Sequence, residues 1–217
     1  MFTGIIEAVG TLTQLKQQGG DYHVEIQTNS LDISDVKLGD SIASNGVCLT
    51  VVTLNKDSFC ADVSNETVSL TGFTHYKVGQ SINLEKALTP TTRLGGHMVS
   101  GHVDGVGVVE RIQANGRSTD YWISAPQELM KYIAYKGSIS VDGISLTVNG
   151  LEDSSFRLTI VPHTSGETTI SQFVVGSKVN LEVDQIARYL ERLMLGNQSE
   201  QKKDISMDLL ARSGFLK

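Results

Sequence analysis

Short runs in which apolar and polar residues alternate make up most of this chain. They include residues 22–26, 41–43, 48–52, 59–63 and 81–84 in the first half, and 121–123, 138–141, 156–160 and 178–181 in the second. A period of two is the mark of half-buried β-strands. Pairs such as Gly19-Gly20, Gly39-Asp40, Asn45-Gly46, Asn115-Gly116 and Asp142-Gly143 separate the runs and read as turns. Roughly six short strands per ~90 residues predict a small closed barrel, which leaves no sheet edge exposed. Short helices are predicted at residues 32–36 and 126–132.

The pattern is written twice, at a constant shift of 97 residues. Met1-Phe2-Thr3-Gly4 falls on Met98-Val99-Ser100-Gly101, and Asn45-Gly46-Val47-Cys48-Leu49-Thr50 on Asp142-Gly143-Ile144-Ser145-Leu146-Thr147. Asn83-Leu84-Glu85 likewise falls on Asn180-Leu181-Glu182. The shift needs no gap, although compensating gaps over residues 11–38 remain open. A repeat this long is a whole small domain. The division is therefore residues 1–97, 98–185 and 186–217, with 89–97 as linker. In the last segment Ile186, Tyr189, Leu190, Leu193 and Met194 fall on one face of an amphipathic helix. That stripe either docks on its own barrel or joins copies of the chain, and the reading favours oligomerisation. Residues 197–204 read as polar and flexible, and 205–217 as a final turn or helix.

A formal charge of −6 argues against a nucleic-acid surface. No apolar run approaches the ~18–20 residues that span a bilayer, and the N-terminus lacks the basic and apolar regions of a leader. Cys48 and Cys60 have no counterparts in the second copy, so a reduced, cytoplasmic setting is expected. His97 and His102 lack metal-ligand spacing, and no dinucleotide fingerprint is present.

The candidate chemistry lies where the copies match in pattern but differ in type. Cys48-Leu49-Thr50 and Ser145-Leu146-Thr147 each put two polar groups on one face of a strand. This is either β-propensity alone or a polar strip that reads a flat heterocycle. Across the shift Ile5 becomes His102, Cys48 becomes Ser145, Asp62 becomes Thr159 and Glu66 becomes His163. Such differences suit two related pockets with unequal acid–base equipment, or histidines that are simply structural.

These motifs together resemble riboflavin synthase of the α-chain type, built from two lumazine-binding repeats, over about the whole chain. The resemblance implies an all-β fold of two tandem six-stranded Greek-key barrels with short helices, plus a C-terminal α-helix that holds a homotrimer. It implies a dismutation of two 6,7-dimethyl-8-ribityllumazine molecules, with no cofactor and no metal, where one subunit's N-barrel faces a neighbour's C-barrel. Catalytic candidates carried over are His102 for proton transfer, Cys48 as nucleophile or hydrogen-bond partner, Ser41 and Thr147 as hydrogen-bonding groups, and Phe2 as an aromatic wall. An imidazole can take and return a proton near neutral pH. Substrate-binding candidates in the first barrel are Gly4, Ile5, Ile6, Cys48, Leu49, Thr50, Asp62, Val63, Ser64, Asn65, Glu66 and Thr67. Those in the second are Gly101, His102, Val103, Ser145, Leu146, Thr147, Thr159, Ile160, Val161, Pro162, His163 and Thr164. Lys136 would reach a ligand from the adjacent subunit, and lumazine synthase is a further candidate partner. The rival reading is a lumazine or flavin carrier without turnover; Phe2, Cys48, His102 and the C-terminal helix favour the enzyme.

Overall fold

The computed structural model describes residues 1–201 and 212–214. The first barrel comprises β1 (Ala8–Gln18), β2 (Asp21–Gln27), β3 (Ser41–Ser44), β4 (Val47–Leu54), β5 (Ser58–Val63) and β6 (Ser81–Lys86). The second comprises β7 (Gly105–Asn115), β8 (Ser118–Ser124), β9 (Ser138–Val141), β10 (Ile144–Leu151), β11 (Ser155–Ile160) and β12 (Lys178–Val183). Both close fully, in the order β1-β2-β5-β4-β3-β6 and the equivalent β7-β8-β11-β10-β9-β12. Alternation places one face of each strand inside: Leu12, Ile26, Leu49, Phe59 and Leu84 in one core, and Val109, Ile123, Phe156, Leu158 and Leu181 in the other.

The shift of 97 holds through all the strands. Even the irregularities repeat: register breaks at Leu12/Gln14 and Val51/Thr53 recur at Val109/Arg111 and Val148/Gly150. No compensating gaps are needed over residues 11–38. The helix predicted at 126–132 is α2 (Gln127–Met130), following α1 (Asn65–Leu70). The one predicted at 32–36 is instead a turn, in which Val36 N–H donates to Ile33 at 3.1 Å. Here Asp32 turns its carboxylate to the Ser34 N–H at 2.9 Å, a local bond that competes with helix. α1 and its counterpart α3 (Pro162–Glu167) follow β5 and β11.

The barrels meet about a pseudo-twofold axis. Gly46 and Gly143 touch across it: a Cβ on Gly143 would lie 2.8 Å from Gly46 N, and both glycines have positive φ. Around them Asn83 accepts from Thr169 N–H at 2.8 Å and donates to Asp142 C=O at 3.0 Å. Asn180 does the same with Gly72 N–H (2.7 Å) and Asn45 C=O (2.8 Å), and adds a bond to the Tyr76 hydroxyl at 3.0 Å. Tyr76 has Phe173 as its counterpart, so this last bond breaks the symmetry. Burial raises Asp142 to about 7, and the bond from Asn180 N–H only partly opposes the shift.

Residues from Gln185 onward form a separate unit. Its helix, α4 (Gln185–Gln201), carries Ile186, Tyr189, Leu190, Leu193 and Met194 exposed. The helix runs through 197–201, which were expected to be loose, because Gln and Glu cost a helix little even though they are polar. Residues 202–211 and 215–217, and with them most of the turn or helix expected at 205–217, lie outside the described residues.

Candidate active site

Two short arms precede the barrels, and they cross. Phe2 and Val99 bridge antiparallel, through Phe2 N–H to Val99 C=O at 2.7 Å and the reverse bond at 3.1 Å. Beyond the bridge, the carbonyl of Gly101 accepts from Cys48 N–H at 2.9 Å, and that of Gly4 accepts from Ser145 N–H at 2.7 Å. Val103 packs on the first barrel's core and Ile6 on the second's. This corrects the grouping drawn from sequence. Gly101, His102 and Val103 stand with Cys48 on the first barrel, and Gly4, Ile5 and Ile6 stand with Ser145 on the second. Grouping by closeness along the chain missed it because the crossing is a tertiary event.

The strand pattern then sorts the remaining candidates. On β4, Cys48 is half-buried and Thr50 exposed, both on the outer face, while Leu49 points into the core. Ser41 pairs with Thr50 across β3–β4. On β5, Asp62 faces out and Val63 is buried. Ser64 caps α1 by accepting from Thr67 N–H at 3.2 Å, with Asn65 and Glu66 exposed in its first turn. The first surface is thus an open strip of Ser41, Cys48, Thr50, Asp62 and the start of α1, bordered by His102.

The second surface repeats the design with other chemistry. Ser145 and Leu146 are half-buried and Thr147 is exposed on β10; Thr159 faces out on β11, whereas Ile160 is core. Val161, Pro162 and His163 are exposed at the start of α3, and Thr164 is half-buried. Ile5, exposed, borders this strip where His102 borders the other. Phe2 departs from expectation: it is fully buried with Val99 and Ala43, so its ring fastens the arms together and offers no wall. Lys136 is exposed with φ +64°, at the place where the first copy has Gly39. Its N–H donates to Val148 C=O at 2.8 Å, beside Thr147. A lysine held in that region is costly, which points to a use for its side chain.

Several residues were missed from sequence. His97 Nδ1 lies 2.7 Å from Ser145 Oγ, so this linker histidine belongs to the second surface. Burial pushes its pKa down, against the pull of Asp184. Asp62 and His23 pair across β5–β2 at 2.7 Å, whereas in the second copy the carboxylate is on the other strand: Thr159 donates to Asp120 at 2.7 Å. Glu85 and Glu182 are buried, each accepting from the arm of its own barrel. The signal for these two was available: the run Asn-Leu-Glu is identical in both copies, at residues 83–85 and 180–182.

A cavity of about 740 Å³ lies beside the first barrel, between the end of β6 and the linker; Ile5, Ser41, Lys86 and Arg93 line part of it, but neither Cys48 nor His102 does. Ser41 joins this cavity to the first strip, while Thr50, Asp62 and Glu66 in that strip and Thr147 and His163 in the second are exposed. Among the described residues no group of three or more His, Cys, Asp or Glu is placed to hold a metal.

Residues 3–87 and 100–184 each match the family described as the lumazine binding domain. The chain is 57% identical over its full length to riboflavin synthase of Photobacterium phosphoreum and 50% identical to that of Photobacterium leiognathi, in each case covering all of both proteins. It is 41% identical to riboflavin synthase of Bacillus subtilis (strain 168), over 99% of this chain and 100% of that one. The fold matches LumP complexed with riboflavin at TM-score 0.78 and 24% identity, covering 84% of this chain and 99% of that one. LumP complexed with 6,7-dimethyl-8-(1'-D-ribityl) lumazine matches at TM-score 0.76, with the same identity and coverage. Doubled lumazine binding domains and full-length identity to these enzymes together place the chain in the riboflavin synthase family.

Proposed function

We propose that this enzyme dismutes two molecules of 6,7-dimethyl-8-ribityllumazine. One gives a four-carbon unit to the other, yielding riboflavin and 5-amino-6-ribitylamino-2,4-pyrimidinedione. Atoms and electrons balance between the two lumazines, so the reaction needs no outside oxidant. The observation that carries this reading is the pair of matched strips with mismatched chemistry, each finished by the other repeat's arm. One strip joins Cys48 and Thr50 to His102; the other joins Ser145 and Thr147 to Ile5.

The donor's C7 methyl must lose a proton, and His102 is the group assigned to move it. The resulting carbanion spreads into the ring, where hydroxyls such as Ser41, Ser145 and Thr147 donate to the ring carbonyls. Cys48 stands beside His102 to activate C7 of the acceptor, by attack or by hydrogen bond. Stacking two rings in fixed opposition replaces a chance encounter, an effect of ~7–11 kcal/mol when orientation is complete. Both strips carry exposed groups, which supports a site completed when one subunit's first barrel meets a neighbour's second. A homotrimer joined through the exposed stripe of α4 would supply that neighbour, with Lys136 reaching across.

The test is incubation of purified chain with the lumazine alone. One riboflavin and one pyrimidinedione should form for every two lumazines consumed. Tight binding with the lumazine unchanged would instead make the chain a carrier.

A further inference from the structure

We propose that Glu182 is a positioning residue that sets His102 against the first barrel's strip, and this rests on the reading of His102 as the proton-transfer group. Glu182 lies on β12 of the second barrel, 4% exposed, and its carboxylate is turned to the arm. It accepts from Ser100 N–H at 2.7 Å, from Ser100 Oγ–H at 2.6 Å and from Gly101 N–H at 3.0 Å. Ser100 Oγ in turn accepts from the N–H of His102 at 3.3 Å. On the opposite side, the carbonyl of Gly101 is held by Cys48 N–H. The Ser100-Gly101 segment just before His102 is therefore gripped from one barrel through its two N–H groups and from the other through the Gly101 carbonyl.

The grip is close. A Cβ on Gly101 would fall 2.6 Å from Cys48 Cβ, so nothing larger than glycine fits between the arm and β4. A buried carboxylate is expensive unless its oxygens are satisfied, and here three donors converge on it from two consecutive residues. Burial pushes the Glu182 pKa up, opposed by these bonds and by His102.

The molecule carries its own control. Glu85 grips Thr3 and Gly4 with bonds of 2.6, 2.6 and 2.9 Å, and Ser145 N–H holds the Gly4 carbonyl. The residue presented there is Ile5, which cannot carry a proton. Two clamps of equal geometry thus present unlike side chains to opposite strips.

The experiment is a double-mutant cycle on the full chain, read as kcat and KM for riboflavin formation. Glu182→Gln keeps the size of the side chain but places an NH2 among donors. It should lower kcat by about 10–100-fold with KM changed less than about threefold, the scale of a misplaced catalytic group. In a His102→Gln background the same change should cost no more than about a further twofold, because the group it positions is gone. Glu85→Gln should multiply through by the same factor in both backgrounds. Should Glu182→Gln fail to fold, Ser100→Ala removes the shared hydroxyl and must show the same coupling to His102. An equal loss from Glu182→Gln in both backgrounds would reduce the clamp to a fold contact and overturn the proposal. An unchanged kcat in His102→Gln would overturn the reading of His102, and the proposal with it, through a different variant.

Discussion

The junction between the barrels makes a quantitative prediction through Asn180 and its mate Asn83. Replacing Asn180 with Ala strands the N–H of Gly72 and the C=O of Asn45, and removes one bond to the Tyr76 hydroxyl. Asn180 is 2% exposed, so water does not replace those partners. A buried, unsatisfied polar group costs about 1–3 kcal/mol, and a lost neutral hydrogen bond about 0.5–1.5 kcal/mol. Asn180→Ala should therefore cost about 3–6 kcal/mol. Asn83→Ala strands an equivalent pair, Thr169 N–H and Asp142 C=O, without the tyrosine bond, and should cost about 1 kcal/mol less. In a Tyr76→Phe background, which copies Phe173 onto the first repeat, the two variants should become equal. The assay is urea unfolding at fixed protein concentration, with the slope checked for constancy. Losses below about 1 kcal/mol for both, or a larger loss for Asn83→Ala, would refute the account of the junction.

Two further outcomes follow from the same junction. Because Asp142 is raised from 3.8 to about 7, the folded chain binds more protons than the unfolded one between those values, so this residue takes stability away as pH rises through that window and no more above it. Asp142→Asn should match wild type in acid and exceed it above neutrality, since an amide oxygen can accept from Asn180 N–H as Asn45 does from Asn83 N–H; an unchanged pH profile in thermal melts would contradict this. Gly143→Ala should cost about 2–5 kcal/mol, from left-handed backbone strain plus a Cβ pressed on Gly46. Gly79→Ala, with positive φ but open space, should cost only the backbone share, and equal melting temperatures for the two would remove the case for close approach.

Much of the fold is legible in the sequence because the repeat is dense enough to align without gaps. The strands at Tyr22, Ser41, Phe59 and Ser81 stand where their alternation places them. β1 and β7 were harder to see, since their outer halves are mostly polar and each has a register break that interrupts the alternation. The helix expected at 32–36 was lost to the Asp32 side-chain bond, which holds a turn there instead. The candidate strips were legible in their ingredients but not in their assembly. Cys48, Thr50, His102, Ser145 and Thr147 could be picked out by pattern. That His102 serves the first barrel and Ile5 the second depends on one pair of crossing arms, and no local pattern encodes a crossing. Phe2, carried over by the resemblance as an aromatic wall, departs from that role for the same reason: the bridge to Val99 buries it. His97 gave no signal because it lies outside both copies of the aligned pattern.

The crossed composition of the two strips is tested most directly by mapping backbone amide shifts as 6,7-dimethyl-8-ribityllumazine is titrated into a Ser145→Phe variant, in which the second strip is blocked. The signals of Cys48, Thr50, Asp62 and Thr67 should then move together with those of His102 and Val103, while Ile5 and Ile6 stay still. Movement of Ile5 and Ile6 with the first barrel, and silence at His102, would show that each repeat builds its site alone.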